Sequence, residues 1–301
     1  MYKYLHFFLI TISFSQTVSD YPYTSAQVSA MAGAVVAENG NDWSIFHNPA
    51  GIVEIDVVRF SVGGGKLYGF NWLPVYHLSS IIPKFGLGHI GFGLKQFEVK
   101  YDGITLSMEQ TISIAQGFNL QKDNNSHLAM GYTANFVQWH LGKSAGVSGD
   151  GSDGLELGNI NAITVDIGVL ASLRDKYRFG VLIKNINSGS LGKGMTRQIL
   201  PRRINIGITY KPISQLATSI IAERLLGRDD LQIKGAIRYR LAKFLEIYSG
   251  AQSNPNRIGF GIKLSIGTLQ NLSGKNLLFT YGLITHPVLP ITYQLSLGFE
   301  L

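Results

Sequence analysis

Strict alternation of apolar with polar or small residues, sustained over segments of about ten residues, limits what this chain can fold into. Ile204, Ile206, Ile208 and Tyr210 alternate with Asn205, Gly207 and Thr209. Ile258, Phe260, Ile262, Leu264 and Ile266 alternate with Gly259, Gly261, Lys263, Ser265 and Gly267. Tyr293, Leu295, Leu297, Phe299 and Leu301 alternate with Gln294, Ser296, Gly298 and Glu300. Residues 128–136, 163–169 and 233–241 repeat the pattern. A period of two marks a pleated strand with one apolar face. The length narrows the choice further. A transmembrane β-strand needs roughly 9–11 residues, whereas strands of soluble sheets average about 5–6. The opposite face carries Gly, Ser and charges, which suits a barrel lumen, while the apolar face suits lipid.

Composition excludes the competing classes. Charged residues are 15% and hydrophobic residues 45% of the chain, the reverse of the balance that produces disorder. No run approaches the ~20 apolar residues of a membrane-spanning helix. The 35 Gly residues suit strands and turns better than a helical bundle. The chain has no Cys, so disulfides, thiolate metal sites and cysteine nucleophiles are excluded. The net charge is +7, but Lys and Arg are scattered rather than clustered, which argues against a nucleic-acid partner.

Fourteen segments follow the strand pattern, at residues 57–63, 70–82, 86–99, 104–119, 125–140, 159–172, 176–186, 199–210, 214–224, 231–241, 243–251, 256–267, 274–285 and 290–301. An even number returns the chain to the side it entered, as bacterial barrels require. The connections agree. If the first strand runs outward, the two longest, 141–158 and 187–198, are external, and the short ones at 173–176, 211–213 and 242–243 are periplasmic. The fold class expected is therefore all-β: a transmembrane antiparallel β-barrel of about 14 strands, closed because an open edge in lipid leaves backbone groups unpaired.

The chain divides into three parts. Residues 1–15 have one Lys, an apolar stretch and small residues at Ser13 and Ser15, and read as a secretory signal peptide. Residues 57–301 form the barrel. Between them, residues 16–56 lack the alternation and are rich in small side chains, which let backbone pack in a narrow lumen. This segment reads as a plug, with Met31, Gly33, Asp42, Asn48, Pro49, Ala50 and Gly51 as candidate plug or gate residues. Asn before Pro favours an extended or turn conformation.

The order of several motifs carries a family resemblance. Met31-Ala32-Gly33-Ala34, an acidic turn at Asp42 and Asn48-Pro49-Ala50-Gly51-Ile52 resemble the start of the FadL-like outer-membrane barrels, and within them most closely the PorV/PorQ family associated with type IX secretion. Val165-Asp166-Ile167-Gly168, Phe179-Gly180-Val181 with Lys184-Asn185-Ile186, and Leu200-Pro201-Arg202 with Gly207-Ile208-Thr209-Tyr210 are similar to the family's later strands. The ending from Tyr281 through His286 to Phe299 is similar to its last hairpin. The resemblance spans nearly the whole chain, although Gln27 and Ala32 depart from the usual Arg and Gly. It implies a non-catalytic outer-membrane component of protein secretion or surface attachment, with secretion-machinery proteins or secreted cargo as partners. The alternative is a FadL-like channel for small hydrophobic molecules, gated by Asn48-Pro49-Ala50. A third reading is a structural barrel with no substrate. The outer membrane of a Gram-negative type bacterium is the expected location, with its lipid and lipopolysaccharide as surroundings.

No catalytic, cofactor or metal site is expected. None of the seven His residues has metal-ligand spacing, and neither a GxSxG elbow nor a Walker loop is present. Residues 149–156 have closely spaced oxygen ligands but no EF-hand pattern, and read as a solvated loop. Gly63-Gly64-Gly65 reads as a tight bend. Asp166, Lys184, Lys234, Arg238, Arg240, Glu246, Lys263 and Glu300 fall on lumen-facing positions, where ion pairs tie plug to wall or line a polar path. An apolar pocket beside the plug would favour the channel. A lumen filled by charged pairs would favour the secretion-type or structural reading.

Overall fold

A computed structural model describes residues 21–38, 40–102, 104–144, 146–147, 149, 153–192, 197–227, 230–269 and 276–301. The signal-peptide reading of residues 1–15 lies outside them, as do Asp150, Gly151 and Ser152 of the acidic loop.

The strands are β1 (Arg59–Lys66), β2 (Pro74–Phe85), β3 (Gly88–Tyr101), β4 (Ile104–Lys122), β5 (Ser126–Lys143), β6 (Glu156–Leu173), β7 (Tyr177–Lys184), β8 (Ser190–Leu191) and β9 (Gln198–Ile199). They continue as β10 (Arg203–Ile213), β11 (Leu216–Leu225), β12 (Asp230–Ala242), β13 (Leu245–Gln252), β14 (Arg257–Ser265), β15 (Asn276–Ile284) and β16 (Thr292–Glu300). All but β8 and β9 form one closed antiparallel barrel of fourteen strands, each paired with its barrel neighbours in chain order. β1 closes the ring on β16, from Arg59 opposite Glu300 to Lys66 opposite Tyr293. β8 and β9 form a separate two-stranded hairpin.

Every segment expected from the alternation contains a barrel strand, with local differences: the strand expected over 70–82 starts at Pro74, the one over 256–267 ends at Ser265, where a short helix (Ile266–Leu269) takes over, and three others depend on partners. Gly63-Gly64-Gly65 is no bend: these glycines lie inside β1 and pair on both sides, with β16 and with β2. Lys211-Pro212-Ile213 is no turn either, because β10 runs to Ile213 and the turn is Ser214-Gln215. The strand expected over 199–210 starts only at Arg203, because Gln198-Ile199 pairs with β8 instead. In each case an inter-strand partner, absent from local sequence, decides the conformation.

The apolar phase faces outward. Ile206, Ile208, Tyr210, Ile258, Phe260, Ile262 and Phe299 are exposed on the barrel's outer surface, while Asn205, Thr209, Ser219 and Lys234 are buried inside. β4, β5 and β6 have 19, 18 and 18 residues, well beyond what a membrane crossing needs.

Residues 21–56 run inside this ring. Helix α1 (Ala26–Ala30) is capped by Ser25, whose hydroxyl accepts from the Val28 N–H, and packs on β13 to β16. It ends with Ala32 and Gly33 at positive φ, where the Gly33 N–H donates to the Val28 carbonyl. A short helix α2 (Ser44–His47) leads to a 3-10 helix (Pro49–Glu54) that packs on β3 to β6. The inner segment therefore touches opposite sides of the wall.

It reaches the wall where glycines interrupt the inner face. Gly117, Gly131 and Gly168 lie side by side on β4, β5 and β6. A Cβ on Gly131 would lie 2.5 Å from the Pro49 carbonyl carbon, and one on Gly168 would lie 2.1 Å from Asn48 Oδ1. On the other side Gly250 pairs with Gly259, and Gly261 with Gly282. A Cβ on Gly282 would lie 1.9 Å from the Ala26 carbonyl oxygen, and one on Gly250 would lie 2.3 Å from the Met31 carbonyl carbon. These are two pads of bare backbone shaped to receive backbone.

Gly131→Ala is expected to lower the stability of the detergent-folded barrel by about 1–3 kcal/mol, as overpacking does. Gly235→Ala, whose new methyl would have no heavy atom nearer than 3.9 Å, is expected to stay within about 0.5 kcal/mol of wild type. Paired urea unfolding curves check this, and equal midpoints would sink the close-packing account.

Candidate functional site

The candidate gate residues are all buried except Gly33 and Asp42, which are partly buried. Asn48 organises its surroundings. Its Oδ1 accepts from the Ala50 N–H at 3.2 Å, capping the 3-10 helix. Its Nδ2 donates to the Val36 carbonyl at 2.7 Å and to the Val169 carbonyl on β6 at 3.2 Å. One side chain thus ties two stretches of the inner segment to each other and to the wall. Pro49 follows at the first helical position, which needs no N–H. Pro49 and Ala50 lie on the first glycine pad. Met31 packs in the cluster with Tyr23, Val36, Leu182, Ile221 and Tyr248.

Three carboxylates of the inner segment meet wall arginines. Asp42 accepts from Arg59 Nη1 at 2.7 Å, Glu38 lies 3.2 Å from Arg238, and Glu54 lies 3.4 Å from Arg178. Arg59 also donates to the Gly40 carbonyl at 2.8 Å and pairs with Glu300 across the β1–β16 seam. The same guanidinium therefore binds the inner segment and the barrel closure.

The sequence-selected lumen charges divide. Lys234 is 1% exposed and donates to Glu223 at 2.7 Å, and Glu223 also pairs with Arg203. Asp166 accepts from Asn135 Nδ2 at 3.0 Å and from the Asn185 N–H at 2.7 Å. Arg240 pairs with Glu246 at 2.9 Å at the short-turn rim, and Lys263 stands opposite Glu246 in the β13–β14 register. Lys184 has no carboxylate within 4 Å among the described residues. Lys95, which the sequence reading passed over, shares that condition. It lies on the Gly91, Gly93 phase of β3, the alternation that would have found it. Arg59, Arg178, Arg203, Glu38, Glu54 and Glu223 were also passed over, and their pairing across tens to hundreds of residues has no local signal.

Lys95, Asp166, Lys184, Glu223 and Lys234 line a cavity of about 150 Å³ between the inner segment and the wall. Its remaining surface is mixed: Phe46, Val75, Phe97, Val137, Leu182 and Leu200 are apolar, while Glu109, Arg203, His77, Gln96, Asn135 and Asn205 are polar or charged. Leu200 and Pro201, just after β9, line it. Leu191 and Leu200 are buried against Val137 and Ala162 of the inner wall. His47 lines the same cavity, and its Nε2 shares a 2.5 Å hydrogen bond with the Thr24 hydroxyl. Burial, reinforced by Lys184, Lys95 and Lys234, holds its pKa well below the usual 6.5. It is therefore neutral near pH 7. Among the described residues no group of three His, Asp or Glu side chains is placed to hold a metal ion.

No protein-family model matches the chain, and no curated protein matches it. Solved structures do. The toluene transporter TbuX of Ralstonia pickettii aligns over 92% of this chain and 97% of its own, with 11% identity and a TM-score of 0.58. The CymD monoaromatic hydrocarbon channel aligns over 92% and 96%, with 11% identity and a TM-score of 0.59. The P. putida toluene transporter TodX aligns over 92% and 97%, with 10% identity and a TM-score of 0.59. The chain shares the fold of these transporters.

Two outcomes are expected. Arg59→Met strands Asp42 and Glu300 and should lower stability by about 3 kcal/mol, read from denaturant midpoints. His47 binds fewer protons folded than unfolded, so its contribution is complete above pH 6.5 and is lost as pH falls below it. His47→Gln should flatten part of the stability loss between pH 7 and pH 5, and an unchanged profile would refute the assignment.

Proposed function

We propose that this chain is a FadL-like outer-membrane channel that passes small hydrophobic molecules without catalysis. Its binding site is the cavity between the inner segment and the wall. The observation that carries this reading is that cavity itself. At about 150 Å³ it matches the size of an apolar cavity that holds a single aromatic ring. Three proteins solved with this fold are described as two transporters of toluene and a monoaromatic hydrocarbon channel. Phe46, Phe97, Val137 and Leu182 supply apolar contact. Lys95 and Lys184, on the same lining, would favour a cargo that carries a carboxylate beside its ring, such as benzoate. The Asn48-Pro49-Ala50 segment closes the path below and is the element that shifts to open it.

A second reading rests on a different feature. The Glu223–Lys234–Arg203 cluster and the three carboxylate–arginine ties hold the inner segment in place. A lumen locked in that way suits a closed barrel of PorV/PorQ type, which works through secretion-machinery proteins or exported cargo at its surface.

Uptake of labelled toluene and benzoate by cells expressing the protein tests the first reading. Uptake above vector-only cells, reduced at least five-fold by the cavity-filling Val137→Phe, is the expected result. No uptake above vector, together with recovery of secretion proteins by mass spectrometry after mild-detergent purification, would replace it with the second reading.

A further inference from the structure

We propose that the vestibule at the short-turn end of the barrel binds a phosphate-type oxyanion, either free or on a lipid headgroup. It shares no lining residue with the cavity described above, so the proposal goes beyond the channel reading.

The vestibule is a cavity of about 510 Å³ between the turns joining β6 to β7, β10 to β11 and β12 to β13. Six cationic side chains line it: Arg174, Lys176, Arg178, Lys211, Arg238 and Arg240. Its carboxylates are Asp175 and Glu246. Glu246 is already engaged, accepting from Arg240 Nε at 2.9 Å and from the Tyr248 hydroxyl at 2.7 Å. Arg174, Lys176 and Lys211 have no carboxylate within 4 Å among the described residues.

Arg178 lines it and is only 4% exposed; Nε and Nη1 have no hydrogen-bond partner among the described residues, where its one ion pair is the 3.4 Å approach to Glu54. Arg238 repeats the arrangement: Nη2 reaches Glu38, while Nε has no partner. Buried charged donors are normally satisfied, because an unmade hydrogen bond forfeits what water would have supplied. Here these two arginines and three cations with no carboxylate within 4 Å line one opening. Several cations crowded together repel one another, and a polyvalent anion removes that repulsion. Phosphate-type groups fit because their three or more oxygens accept from several Arg and Lys donors at once. The same two arginines hold Glu38 and Glu54, so an anion bound here competes with the inner segment for its anchors.

The test uses the full chain in maltoside micelles and isothermal titration at low salt. One arm uses inorganic pyrophosphate and the other short-chain phosphatidylglycerol. One saturable site is expected, weakened at least ten-fold in K176Q/K211Q and unchanged in V137F. R178Q should also abolish binding. Because it touches the inner segment, the rim double variant is the deciding one, with heat-modifiable gel migration confirming a folded barrel. Saturation by pyrophosphate assigns a free anion, and saturation by the lipid alone assigns a headgroup. No saturable binding of either probe at millimolar concentration, or undiminished binding in the folded double variant, overturns the proposal. Toluene uptake by K176Q/K211Q reads the channel separately, so either idea can fail without the other.

Discussion

Backbone hydrogen bonding in hydrocarbon is the constraint from which the rest of this structure follows. Each N–H or C=O left unpaired in lipid costs several kcal/mol, so strands that cross a membrane must close on themselves. β1 meets β16 over its full length to do so. Closure with fourteen strands leaves a wide interior. That interior is occupied by a segment whose own backbone must also be satisfied. Short capped helices answer the second demand, with Ser25 and Asn48 supplying the caps. Wall glycines answer the first, because bare backbone on both sides lets the segment sit against the strands without displacing them.

Charge is placed by the same logic. The lipid-facing surface is apolar, so ionised groups gather inside, where they stay only if paired or hydrogen-bonded. Three carboxylates of the inner segment each meet a wall arginine. The ties at Arg178 and Arg238 border the short-turn vestibule, and Arg59 sits at the seam where the barrel closes. The opposite end carries the cavity of about 150 Å³, lined in part by Leu200 and Pro201 just after β9. The inner segment is tied to the wall on both sides and also borders the cavity.

The likeness to solved hydrocarbon transporters, at 10–11% identity over 92% of the chain, has a physical reason. A lipid-facing position requires only an apolar side chain, and many residues meet that requirement. A lumen position requires something small or polar. Identity can drift almost completely while the two-residue phase and the strand order persist. The parts that such drift leaves undetermined are the lining residues, which decide what is bound.

How much was legible follows from the range of each interaction. Alternation is local, so residues 204–210, 257–265 and 292–300 could be read as lumen-and-lipid strands directly. The small-residue run around Met31 and Asn48-Pro49-Ala50 lacks the alternation, which sets it apart from the strands, whereas the large Ile45 and Phe46 beside it find their room only because Gly91 and Gly93 face them. What failed depended on partners. Gly63-Gly64-Gly65 is a strand because β2 and β16 flank it, and Gln198-Ile199 belongs to a hairpin because Ser190-Leu191 pairs with it. The sequence by itself determined that the chain is a closed barrel and which face meets lipid, because periodicity acts over a few residues. Only the tertiary structure decided that Arg59 joins Asp42 to Glu300, that Arg178 meets Glu54 beside the short-turn vestibule, and that a cavity of about 150 Å³ lies beside Lys95 and Lys184. Barrel closure brings together strands far apart in the chain, and no local pattern records which side chains then meet.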